Sequence, residues 1–135
     1  MSELSERGGW QPFGSLYGHG FVRIGAAVPR TRPAEPEFNA ERTLALAREA
    51  SDAHAALVIF PELGLSAYTN EDLFHQRALG AASRDALEAV VRKSARLRPV
   101  IVVGMPLWIE HGLFNTAVVV HGGRILGVVP KSYLP

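Results

Sequence analysis

Two residues of opposite charge occupy the same kind of position in this 135-residue chain. Glu62 follows Pro61 at the end of the apolar run Leu57, Val58, Ile59, Phe60, and Lys131 follows Pro130 after Val128 and Val129. A carboxylate can take a proton from a nucleophile, and an ammonium can stabilise an oxyanion. Brought close, the two would hold each other ionised. Ligands of open α/β sheets sit at the carboxyl ends of strands, which is where both residues read. Spacing alone leaves another outcome open, and it is the commoner one: strand-end charges that only reach water. Tyr68 comes soon after Glu62 and could line a pocket that Glu62 faces. It equally fits a loop leading into a helix, with Thr69 or Asn70 as cap and Glu71 and Asp72 complementing the dipole.

Other chemistry is poorly supported. GVVPKS resembles the tail of a phosphate-binding loop, but Pro130 stands where that motif needs glycine, and proline removes a backbone donor. His121-Gly122-Gly123 resembles an oxyanion glycine motif, yet no G-x-S-x-G elbow follows and a hairpin turn explains it better. The five histidines show no ligand spacing, so no metal site is expected. The chain has no cysteine, hence no disulfide framework and no thiol nucleophile. A formal net charge of +1 gives no electrostatic footprint for nucleic acid. Arg92, Lys93, Arg96 and Arg98 share a helix with an apolar stripe and read as its solvated face. No apolar run approaches the roughly 20 residues that span a bilayer. Nor does MSELSERGGWQPFG carry the basic and apolar regions of a signal peptide. Cytosol is the default expectation, with residues 1–16 a flexible lead.

The elements that would position Glu62 and Lys131 follow an α/β pattern. Phe21 to Val28 reads as a strand and Pro29 to Glu37, with three prolines, as a loop. Asn39 can cap a helix over about Ala40 to Ala53. A strand at Leu57–Phe60 follows, then a short helix over Glu71–Leu79. Ser83 can cap a longer helix that Pro99 closes. VIVVGM is a second buried strand, with a loop after Pro106 through His111 and Gly112. Thr116–Val120 and Arg124–Val129 form a hairpin about HGG. The continuous apolar runs LVIF and VIVV imply strands covered on both faces. The last strand has nothing after it to pack on, so the 135 residues look like part of a larger fold.

Several segments together resemble the nitrilase superfamily, the carbon–nitrogen hydrolases. FPELGLSAY is similar to the first catalytic segment of that superfamily and GVVPKSYLP to the second. YGHGFVRIGAA, SAYTNEDL and FNTAVVVHGGRILGVVPKSYLP resemble one branch, the glutaminase domains of glutamine-dependent NAD synthetases. The resemblance runs from about Tyr17 to Pro135. It implies a partial α-β-β-α sandwich, with residues 17–135 as the first half of the domain. By the same resemblance, Glu62 is the general base, Lys131 stabilises the tetrahedral intermediate, and Tyr68 helps form the glutamine pocket. The family's cysteine nucleophile would lie downstream, so this stretch alone is expected to be inactive. No cofactor is implied for the segment itself. ATP and Mg would belong to a separate synthetase domain that amidates deamido-NAD, in a protein that forms homo-oligomers when full length. Two alternatives stand beside this: part of a stand-alone nitrilase-superfamily amidase, and a non-catalytic α/β binding module, which the missing cysteine favours.

Overall fold

A computed structural model describes residues 15–67 and 77–132. The lead assigned to residues 1–16 lies outside the described residues up to position 14. Leu16–His19 then form a 3-10 turn. The main elements are β1 (Ile24–Ala26), α1 (Pro36–Asp52), β2 (Leu57–Ile59), α2 (Arg77–Ser94), β3 (Val100–Ile109), β4 (Gly112–His121) and β5 (Arg124–Pro130). The five strands make one sheet in the order β1-β2-β3-β4-β5. β1, β2 and β3 are parallel, joined through α1 and α2, while β3, β4 and β5 pair antiparallel. Two reversals restore the direction, so β5 runs the same way as β1, β2 and β3. The carboxyl ends of β2 and β5 therefore lie at one edge of the sheet. They are not adjacent strands, because β3 and β4 lie between them.

Both helices pack on one face of the sheet. Val58, Ile101, Val103, Met105, Val118 and Val120 alternate along the strands and meet Leu44 and Ala47 of α1 and Leu87 and Val90 of α2. Each of these larger side chains contributes about 1.5–3 kcal/mol by leaving water. The out-of-phase residues are more open, with Ile24, Ile59 and Val129 exposed. The apolar runs are thus covered on one face, not two. Among the described residues the fold is one helix-backed half of the sandwich.

Several boundaries move for physical reasons. β1 is shorter than the apolar stretch from Phe21 to Val28, since only Ile24–Ala26 find partners on β2. α1 starts at Pro36, whose fixed φ suits a first helical position. Asn39 is consequently inside the first turn rather than its cap. Ser83, expected as a cap, is buried within α2, and the described part of that helix runs unbroken through Gly80. The short helix read over Glu71–Leu79 lies outside the described residues up to Arg77, where α2 takes over. The loop expected after Pro106 is strand: β3 runs on to Ile109 and pairs with β4 down to Ile109–Gly112. Proline is tolerated there because β2 has already ended and only β4 needs the ladder. The HGG hairpin is as expected, with positive φ at both Gly122 and Gly123. Its turn is tied to α2, the Gly123 N–H donating to Ser94 Oγ at 3.0 Å.

Candidate active site

Phe60 makes the last regular ladder bond of β2, its N–H donating to Val102 O at 2.9 Å. Pro61 has no N–H to continue, so the chain leaves the sheet in a tight turn. Gly64 N–H donates to Pro61 O at 3.1 Å and Ser66 N–H to Leu63 O at 3.1 Å. The chain rejoins the edge of β3 where Leu65 N–H donates to Gly104 O, also at 3.1 Å. Glu62 sits at the crest of this excursion. Leu63, directly after it, has φ 53°, and Ala67 has φ 68°. Each left-handed non-glycine residue costs on the order of 1–2 kcal/mol, which the surrounding bonds must outweigh.

Gly104 gives the turn its room. A Cβ there would lie 2.5 Å from Leu63 N, 2.7 Å from Pro61 O and 2.9 Å from Glu62 Cα, all backbone atoms with nowhere to swing. The turn is also braced from the other side. Ala34 N–H donates to Ser66 O at 3.2 Å. Asn39, 0% exposed, receives the Arg32 N–H on Oδ1 at 2.7 Å. Its Nδ2 donates to Arg32 O at 2.9 Å and to Leu65 O at 3.1 Å.

By crossing over β3, the turn carries Glu62 towards β4 and β5. Thr116 pairs with Pro130 at the end of β5, and one step further the Lys131 N–H donates to Asn115 O at 2.8 Å. Thr116 is buried, its hydroxyl donating to Met105 O. Asn115 and Lys131 are one residue out of phase with that pair and leave the sheet on the face without helices. There Lys131 Nζ donates to Glu62 Oε1 at 2.9 Å, and Asn115 Nδ2 donates to the same oxygen. These two hydrogen bonds, that from Lys131 first and that from Asn115 second, hold the Glu62 carboxyl below the ordinary glutamate range, while desolvation pulls the other way. Glu62 is therefore ionised at neutral pH. An open cleft of about 450 Å³ adjoins the pair, with Leu63, Pro106, Leu113 and Phe114 as its apolar wall and Asn115 and Lys131 among its polar lining. A larger hollow of about 750 Å³ between α1 and α2 shares no lining residue with it.

The structure thus brings Glu62 and Lys131 into contact. Tyr68 lies outside the described residues. Among the described residues no group of three or more His, Cys, Asp and Glu side chains is placed to hold a metal ion. Asn115 and Gly104 escaped the reading of individual residues. The signals were present: a lone amide in the apolar run LFNTAVVV, and a glycine inside a strand, which often marks close backbone approach.

Residues 23–135 match the family model described as carbon-nitrogen hydrolase. The chain belongs to that family. Among curated relatives, it is 52% identical over 123 residues to a glutamine-dependent NAD(+) synthetase of Mycobacterium tuberculosis. That match takes in 91% of this chain and 18% of the relative, so the chain spans less than a fifth of its length. In fold it is similar to a glutamine-dependent NAD(+) synthetase from Cytophaga hutchinsonii, with a TM-score of 0.78 and 24% identity over 84% of this chain and 19% of that one. It is also similar in fold to an amidase from Nesterenkonia sp. whose active-site cysteine carries acrylamide. The TM-score there is 0.68, with 24% identity over 85% of this chain and 46% of that one.

Proposed function

We propose that this chain is the first part of the glutamine-hydrolysing domain of a glutamine-dependent NAD synthetase. The observation that carries the reading is the Glu62–Lys131 contact beside an open cleft, in a chain 52% identical to a relative of that name. The chemistry requires a thiol, and the 135 residues contain none. In this reading the thiol comes from the part of the relatives' length that the chain does not span. Glu62 takes the thiol proton, and the thiolate attacks the glutamine carboxamide carbon. Lys131 donates to the oxyanion of the tetrahedral intermediate. Glu62 returns the proton to the departing nitrogen, ammonia leaves, and a thioester remains. Glu62 then takes a proton from water, the hydroxide attacks the thioester and the C–S bond breaks to release glutamate, and the proton returns to the sulfur. Tyr68 is assigned to the glutamine pocket. ATP and magnesium serve a separate synthetase domain, which consumes the ammonia.

The 135 residues alone should release no glutamate from glutamine. The intact protein that contains them should do so, and Glu62→Gln or Lys131→Met in it should lower the rate by about 100-fold or more. Undiminished glutamate release by either variant would overturn these roles. Hydrolysis of simple aliphatic amides in preference to glutamine would favour a stand-alone amidase instead. A non-catalytic module would leave the strained turn and the shared Glu62 oxygen without a use.

A further inference from the structure

Glu62 has two carboxylate oxygens, and the structure treats them differently. Oε1 accepts from both Lys131 Nζ and Asn115 Nδ2. Oε2 accepts from no described residue. Asn115 is also the backbone anchor of Lys131, since its carbonyl receives the Lys131 N–H at 2.8 Å. One residue of β4 therefore holds the acid by its side chain and the base of the lysine segment by its main chain.

We infer that Asn115 is a positioning residue which pins Glu62 through Oε1 and so leaves Oε2 as the atom that exchanges protons with the nucleophile. The inference rests on Glu62 being the base. Its chemistry is self-consistent. With the proton on Oε2, Oε1 becomes the carbonyl oxygen of the acid and still accepts from both donors. A proton on Oε1 would compete with those donors for the same lone pairs. Pinning also removes rotation about the terminal torsion, which is broad in a free glutamate side chain.

Among the described residues, the strands around Glu62 carry few charges. β2 carries no ionisable side chain, β3 none between Val100 and Ile109, and β4 none from Gly112 to Val120. β5 offers only Arg124, at its far end, before Lys131. The loop before α1 brings Arg30, Arg32 and Glu35, of which Arg32 and Glu35 pair with each other at 3.2 Å. Lys131 is thus the charged partner of Glu62 among the described residues, and Asn115 the neutral one.

The experiment is the pH profile of glutamine hydrolysis by the intact protein carrying Asn115→Ala. Loss of a donor to the carboxylate raises its pKa. The acidic limb of kcat should therefore move up by about half a unit or more, and kcat at neutral pH should fall about 10-fold or more with KM changed by less than about 3-fold. Should the alanine variant not fold, Asn115→Asp keeps the shape, removes the donor and adds a like charge. Its limb should move up at least as far. A folded variant with lowered activity and an unmoved limb would overturn the positioning role. The same pH profile for Glu62→Gln separates the two ideas. If that variant is inactive while the Asn115 variants keep the wild-type limb, this inference alone fails. If Glu62→Gln stays active, the assignment of the base fails with it.

Discussion

Glu62 receives two hydrogen bonds on one oxygen, from residues 53 and 69 positions further along the chain. Both side chains of the ion pair remain partly open, at 43% for Lys131 and 42% for Glu62. Pairs this exposed are screened by salt and add little to stability. What the pair sets is protonation. Because the folded carboxyl titrates below its unfolded value, any stabilisation it gives is complete above the ordinary glutamate pKa of about 4.3. It fades as pH falls through the lower folded value. The difference in denaturation midpoint between wild-type and Glu62→Gln intact protein should accordingly be small at neutral pH and vanish in acid. A difference that grew towards low pH would contradict the lowered pKa. At this scale the placement of Glu62 and Lys131 at strand ends was legible, because each follows a proline that ends an apolar run. Their contact was not legible, since it depends on a turn that crosses over β3. Asn115 was hidden for a related reason: an amide on one face of a strand has no consequence until its neighbours across the sheet are known.

The element that matters most is the turn from Pro61 to Ser66. It is held by Leu65 on β3, by Asn39 from α1, and by the absence of a side chain at Gly104. Gly104→Ala should force the turn off the strand, costing about 1–3 kcal/mol as overpacking does. Thermal denaturation would read the loss, and glutamine hydrolysis by the intact protein should fall with it. A variant of wild-type stability and activity would show that the turn has slack the structure does not suggest. The helices were visible from their 3.6-residue periodicity, but their starts were not. Asn39 and Ser83 are good caps in isolation, yet Pro36 begins α1 a turn earlier. Burial then uses Asn39 to join the Arg32 loop to the Glu62 turn. β3 also outran its expected end, because a proline breaks a strand only where a partner needs its N–H.

On the scale of the whole molecule, among the described residues the two helices cover one face of the sheet and the other face is more open. Phe21, Val22, Ile24, Val28 and Ile59 are exposed, as are Ile125, Leu126 and Val129 near the β5 edge. Apolar faces and unpaired strand edges of this kind promote self-association. The 135-residue chain on its own should show concentration-dependent association by light scattering and bind an apolar dye. A monodisperse monomer with a sharp cooperative melt would refute this. The α/β class and the hairpin could be read from the sequence. The one-sided covering could not, since a continuous apolar run looks the same whether one face or both are packed.

The 69-position separation of Glu62 and Lys131 along the chain also governs when the charges can meet. β3, β4 and β5 are successive hairpins whose ladders close over two-residue turns, a process that takes microseconds. β1 and β2 must instead wait for the crossovers through α1 and α2, and pairings between distant segments form slowly. The hairpin half carries Lys131 and Asn115, and the crossover half carries Glu62. A chain in which the halves have not docked has no paired carboxylate, so formation of the ion pair reports that docking.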